Sequence, residues 1–248
     1  MHTENMFELI FQKAKATDEF EYVMALLDFQ GAEDTGWNPL QETIYIYDDL
    51  TSLLTAPLKD NTRTRLALLL YCHITEAEAP YRIVYNMLTV ISGDRCSSFP
   101  FQSLIKNHPD GNIVPPTVRN IIRLITELSA TIDVTEFAEL ISKGVDHGLR
   151  NAFYHSDYTL HDGEFRSKNS WFTHANNNRS RSLSSDELQQ VVNNGLSSFN
   201  AFMKVYTRHR LSYKSEITIP SRFASDDTNT PMRVLGDRRR GLYGVTSV

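Results

Sequence analysis

Arg150, Asn151 and His155 stand together in the segment Arg150-Asn151-Ala152-Phe153-Tyr154-His155. A guanidinium is a permanent planar cation matched to phosphate oxygens, and an imidazole gives and takes protons near neutral pH without special tuning. With an amide beside them, these groups form a set suited to handling a phosphate. Chance sets the scale of the signal. The chain has 17 arginines and 8 histidines in 248 residues; about 0.55 Arg-x4-His matches then arise at random, and about 0.03 once Asn must follow the Arg. The pair alone carries little, and the triplet carries more.

A helix expected over about 133–156 must position these groups. On it, Val134, Phe137, Ile141, Val145, Leu149 and Ala152 fall on one face at about 100° per residue, which makes a buried stripe. His147, Arg150, Asn151, Tyr154 and His155 occupy an adjoining arc of about 140°, with Arg150 and His155 at its edges. Asn151 lies one turn before His155, at the i,i+4 spacing from which an amide can orient the ring. His155 falls in the last turn, where exposed carbonyls favour a protonated ring, while Arg150 pushes the other way. The same residues also have a plain structural use: Arg150 and Asn151 satisfying helix-end carbonyls, and His155 capping the helix.

Periodicity predicts further helices at about 4–15, 18–29, 38–56, 61–92 and 115–131, with Pro80 kinking or splitting the fourth near Glu78. Gly93, Pro100, Pro109, Gly111, Pro115 and Pro116 mark a loop-rich connection. Asp162-Gly163 between short alternating stretches over 158–166 predicts a small β-hairpin. Residues 176–182 are too polar to pack and are expected as a mobile loop. Ser184-Ser185-Asp186-Glu187 resembles an N-cap with a capping-box acid, opening a helix through Tyr206. Beyond about 215 no period is sustained, so a single helical domain over 1–214 is expected, followed by an irregular basic tail over 215–248 that carries Arg238-Arg239-Arg240.

The composition, 41% hydrophobic and 10% aromatic, suffices for a buried core. The net charge of −5 hides an asymmetry: residues 1–100 sum to −8 and residues 101–248 to +3, so a polyanion should prefer the later part. Cys72 and Cys96 have no finger or CxxC spacing, which predicts reduced thiols and neither a disulfide framework nor structural zinc. The histidines and acids show no HxxxH or HExxH pairing, and Gly-rich phosphate loops and nucleophile elbows are absent, so no metal or cofactor is expected. The N-terminus has no basic start followed by an apolar run, and no stretch reaches about 18 apolar residues; a cytoplasmic protein without membrane contact is the expectation. His73, Glu76 and Glu78 read as a polar patch flanking the Pro80 kink, the alternative being that they join the Arg150 cleft.

The stretch Leu149–Tyr158, late in a helical region, resembles the HEPN superfamily, whose R-N-x-x-x-H form of the Arg-x4-6-His motif it matches over about ten residues. The resemblance implies a mostly α fold: an antiparallel HEPN-like helical bundle with its core at about 60–210, extra N-terminal helices and a small hairpin after the motif helix. It further implies a metal-independent endoribonuclease of a toxin, stress or antiphage defence system, with Arg150 and His155 catalytic, Asn151 supporting, and His147, Tyr154 and Tyr158 around them. One branch of toxins has Tyr two residues after the His; here Ser156 and Asp157 precede Tyr158. A homodimer through the motif helix would bring a second histidine to the cleft, RNA would be the substrate, and an inhibitor or antitoxin protein is a candidate partner. Arg179, Arg181 and the Arg238–Arg240 run are candidate RNA-backbone groups. The alternative within the same resemblance is a noncatalytic module that binds RNA, a nucleotide or a partner protein.

Overall fold

The computed structural model describes residues 2–29, 36–107, 110–174, 178–222 and 229–248. In chain order the helices are α1 (His2–Thr17), α2 (Glu19–Leu27), α3 (Pro39–Leu54), α4 (Asp60–Glu76), α5 (Glu78–Ile91), α6 (Val118–Thr131), α7 (Thr135–Lys143), α8 (His147–Tyr154) and α9 (Ser185–Leu211). The strands are β1 (Lys106–Asn107), β2 (Ile113–Val114), β3 (Thr159–His161), β4 (Glu164–Arg166), β5 (Phe172–Thr173), β6 (Arg179–Ser180), β7 (Ser182–Ser184), β8 (Ile217–Arg222), β9 (Asn229–Asp237) and β10 (Gly241–Ser247). The protein is mostly helical, with small antiparallel sheets. The chain splits into two compact units, each assembled from separated stretches. One crossing falls at Ala77, whose extended backbone (φ −65°, ψ 116°) ends α4 three residues before Pro80. The split expected near Glu78 is therefore present: Pro80 lacks a donor and is tolerated only in the first turn of α5.

The first unit comprises Met1–Trp37, Glu78–Ala138 and Asn200–Val248. Phe7, Ile10, Phe11 and Ala14, spaced by three and four, are fully buried on α1. Asp18 caps α2 by accepting from the main-chain N–H groups of Phe20 and Glu21, satisfying donors that a helix start leaves open. Asp28 ends α2 in the left-handed region (φ 52°) and takes the buried Arg82 guanidinium in two hydrogen bonds of 2.6 and 2.7 Å.

Within 215–248, expected as an irregular tail, residues 217–222, 229–237 and 241–247 instead form a three-stranded antiparallel sheet with β9 in the centre; residues 223–228 lie outside the described residues. Its buried positions include Ile219, Ser221, Met232, Val234, Gly236, Leu242 and Gly244. Three of these seven lack a large apolar side chain, and Pro220 faces Pro231 across the ladder, so the alternation that signals a strand is muted. Gly236 is small for a reason: a Cβ there would lie 2.5 Å from the Tyr213 carbonyl oxygen. The Arg238–Arg240 run is the turn between β9 and β10. Asp237 closes it by accepting from the main-chain N–H groups of Arg239 and Arg240 and from Arg240 Nε.

The second unit comprises Asn38–Ala77 and Glu139–Phe199. Its core joins Leu68, Tyr71 and Cys72 of α4 to Leu149 and Ala152 of α8, Phe165, Phe172 and Leu183 of the strands, and Leu188 and Val192 of α9. The expected hairpin is β3–β4, with Asp162 and Gly163 both at positive φ in its turn; β7 adds to β4 as a third strand. The expected capping box opens α9. Ser184 N–H donates to the Glu187 carboxylate (2.9 Å), and Glu187 N–H donates to Ser184 Oγ (3.3 Å).

Two expectations here are corrected. Within 176–182, Arg179–Ser180 pairs with Phe172–Thr173 and Ser182 begins β7, because the buried Phe172 and Leu183 that flank the polar tract tie its ends to the core; Asn176 and Asn177 lie outside the described residues. The helix expected over 133–156 is two helices, interrupted at Gly144–Asp146. Asp146 offers its side chain as a helix cap, which starts a new helix and does not continue the old one.

Candidate functional site

Asp146 sets the motif helix in place with three bonds. Its Oδ1 accepts from Leu149 N–H (2.8 Å), its Oδ2 accepts from Thr173 N–H (3.1 Å), and its own N–H donates to the Tyr71 hydroxyl (2.7 Å). Leu149 and Ala152 are fully buried and hold one face of α8 against the core. The other end is closed by a Schellman motif: Ser156 N–H donates to the Phe153 carbonyl and Asp157 N–H to that of Ala152, with Ser156 at φ 52° in the position that usually favours glycine. The insertion of Ser156 and Asp157 before Tyr158 is thus a helix stop. The Asp157 carboxylate then binds Ser167 Oγ and Asn169 N–H, and these bonds, the Ser167 one foremost, hold it below the usual carboxylate range.

Arg150 projects from α8 toward the last residue of α4. Its Nη2 donates to Glu76 Oε2 (2.9 Å), and its Nε lies 2.8 Å from Oε1 without the alignment of a hydrogen bond. Its Nη1 donates to Asn151 Oδ1 (3.0 Å), and its Cζ stands 5.1 Å from the centre of the Tyr154 ring. Glu76 therefore joins the Arg150 site, which corrects its assignment to the Pro80 kink. The side chains are 32% and 28% exposed, so the pair is partly shielded and its cation is largely compensated before any ligand arrives.

His155 occupies the C-cap of α8 and its N–H donates to the Asn151 carbonyl. Its ring is exposed and makes no hydrogen bond or ion pair with the described residues. No such bond links it to Arg150; Asn151 is the residue that adjoins both, bonded to Arg150 by side chain and to His155 by main chain. Tyr154 is exposed over 46% of its surface, and burial of its hydroxyl, followed by the proximity of Cys72 and then of Glu76, raises its pKa against the opposing charge of Arg150, so it stays a hydrogen-bond donor. His147 opens α8, about 12 Å from His155 along the axis, and is half-buried. Tyr158 is stacked between Phe153 and Phe165 at 5.7 and 4.9 Å, a packing position. Arg179 and Arg181 are exposed on and beside β6, with Arg181 Cζ 4.9 Å from the Trp171 ring.

Nearby groups narrow the chemistry. Burial pushes the Cys72 thiol up to about 12, which removes it as a thiolate nucleophile. Burial lowers the pKa of His73, whose Nε2 has no hydrogen-bond partner among the described residues. No group of three or more His, Cys, Asp or Glu residues is placed to hold a metal ion, and no helix is long and apolar enough to cross a membrane, among the described residues.

Beyond the Glu76–Arg150 pair, which the sequence offered only as an alternative, three features were not read from it: Asp146 as a cap, the close approach of Gly148 to the Trp171 main chain and the chain Glu187–His174–Ser180. In the last, His174 Nδ1 is 2.7 Å from Glu187 Oε1 and its Nε2 is 2.7 Å from Ser180 Oγ. Only Asp146 had a local signal, a capping residue two positions after Gly144. The others join residues far apart in sequence or depend on backbone contact. Comparison with models of protein families, with curated proteins and with solved structures finds no match for this chain.

Proposed function

We propose that this protein is a metal-independent endoribonuclease of the HEPN type, an effector of a toxin, stress or antiphage system that cleaves single-stranded RNA. The observation that carries this reading is the arrangement along α8: an arginine braced by Glu76, Asn151 beside it, and, one turn beyond Asn151, an exposed imidazole with no hydrogen bond among the described residues. In the proposed reaction a base takes the proton of the 2′-hydroxyl, O2′ attacks phosphorus, and the P–O5′ bond breaks as an acid protonates the leaving oxygen. The products are a 2′,3′-cyclic phosphate and a 5′-hydroxyl. Arg150 stabilises the charge on the phosphorane, and His155 serves as one of the two proton-transfer groups. One chain supplies one motif imidazole, so a homodimer through α8 would supply the other.

The decisive experiment incubates labelled single-stranded RNA with the purified protein in excess chelator, beside Arg150→Ala and His155→Ala. Cleavage with a cyclic phosphate end, reduced about 100-fold or more in both variants, is expected. Intact RNA, or variants as active as the wild type, would overturn the enzyme. The compensation of Arg150 by Glu76 favours a second reading, a noncatalytic RNA-binding module, for which wild type and His155→Ala would bind equally and cleave nothing.

A further inference from the structure

We infer that Trp171 and Arg181 form a stacking platform for one base of a single-stranded RNA, held at the N-terminal end of α8; this rests on the RNA reading above. Trp171 is 45% exposed, and Arg181 lies over its ring. An indole face with a guanidinium beside it suits a nucleobase, which offers a π surface of any sequence. The surrounding chain has the charge such a ligand needs. Between Glu164 and Asp186 there are four basic residues, Arg166, Lys168, Arg179 and Arg181, and no acidic one, in a protein whose net charge is −5. Arg166 is paired with Glu164, whereas Lys168, Arg179 and Arg181 make no ion pair with the described residues.

The platform is built, not slack. The main chain of Trp171 rests on α8 where residue 148 is glycine: a Cβ there would lie 2.0 Å from the Trp171 carbonyl oxygen. Phe172 is fully buried, and Thr173 N–H is bonded to Asp146. On the other side His174 bridges Glu187 and Ser180, and Ser170 N–H donates to Ser167 Oγ (2.8 Å). With the main chain fixed in this way, only the side-chain torsions of Trp171 are left to be ordered when a base stacks on the ring. At about 100° per residue, His155 lies on the same side of α8 as Gly148, about 10 Å further along the axis, whereas Arg150 lies about 160° round the helix. Arg150 over Tyr154 repeats the guanidinium-on-aromatic arrangement on that other side. An RNA strand lying along the Gly148 side of α8 would therefore place one base on Trp171 and a phosphate near His155.

The test uses a short 2′-O-methyl oligonucleotide, which cannot be cleaved, and its counterpart without bases. The chain has two tryptophans, so Trp37→Phe leaves Trp171 as the only indole. Its fluorescence should be quenched by the first oligonucleotide and not by the second. Trp171→Ala should weaken binding about 10- to 100-fold, and Trp171→Phe, which keeps an aromatic face and the backbone, should recover most of it. If the wild type binds or cleaves RNA while Trp171→Ala binds as tightly, or if the base-free strand quenches equally, the platform is overturned and the RNA reading stands. If the wild type neither binds nor cleaves RNA, both fall.

Discussion

Glu76 decides how available Arg150 is. A carboxylate in contact with a phosphate-binding guanidinium both orients it and competes with the ligand for it, and with the pair only about 30% exposed neither effect is fully screened by water. Glu76→Gln keeps the shape and removes the charge. Urea unfolding should show a loss of about 1–2 kcal/mol, the scale of a hydrogen-bonded charge pair, while binding of a non-cleavable RNA at low salt should tighten. Weaker binding would mean that orientation dominates over competition. Residue types offered this contact only as an alternative, with Glu76 joining the Arg150 cleft. Arg150, Asn151 and His155 stood out because they are close in sequence, but the partner of the guanidinium lies 74 positions away on another helix, and only the packing of Leu68, Tyr71 and Cys72 against Leu149 and Ala152 brings it there.

Short elements position the site, and each is secured by a side chain whose charge can be titrated. Glu187 caps α9 and holds His174 of the β5–β6 hairpin. Bonds from Ser184 N–H first, then from His174 and the Ser184 hydroxyl, bring its pKa down to about 2 from an ordinary 4.5. Because the folded value is the lower one, this contribution is complete above about pH 4.5 and is lost as pH falls through about 2. Trp171 emission in Trp37→Phe should accordingly change between pH 5 and 2, and Glu187→Gln should show the acid-like emission already at neutral pH. Emission that stays constant in both would show that the hairpin is held without Glu187. Elements with strong local signals were readable beforehand: the apolar spacing of α1, the Asp162-Gly163 turn and the Ser184–Glu187 capping box all act over a few residues. The break at Gly144–Asp146 was hidden because Val134, Ile141 and Leu149 keep helical phase through it. The β8–β10 sheet was hidden because prolines, glycines and a serine hold positions where apolar residues would have shown the alternation.

At the scale of the molecule, two units interrupt one another along the chain, an organisation that composition and periodicity do not encode, since the crossings after Trp37 and Ala77 look like an ordinary loop and a helix break and those after Ala138 and Phe199 fall inside α7 and α9. The motif, its acid partner and the Trp171 hairpin all belong to the second unit, which is built only from Asn38–Ala77 and Glu139–Phe199. A single copy nevertheless presents one motif imidazole, with no hydrogen bond to its ring among the described residues, whereas the proposed cleavage needs a base and an acid at once. That requirement makes the proposed homodimer testable by mixing subunits. An excess of His155→Ala chains, mixed with wild type and allowed to exchange subunits, should suppress RNA cleavage per wild-type chain, because a mixed dimer keeps one imidazole where the reaction needs two. Cleavage by the wild type should also fall on dilution below the dimer dissociation constant. If wild-type chains keep their full activity in the mixture after subunit exchange is verified, or if wild-type activity per chain is unchanged on dilution to monomers, catalysis occurs within one subunit, and the second proton-transfer group must be sought beside Arg150 in the same chain.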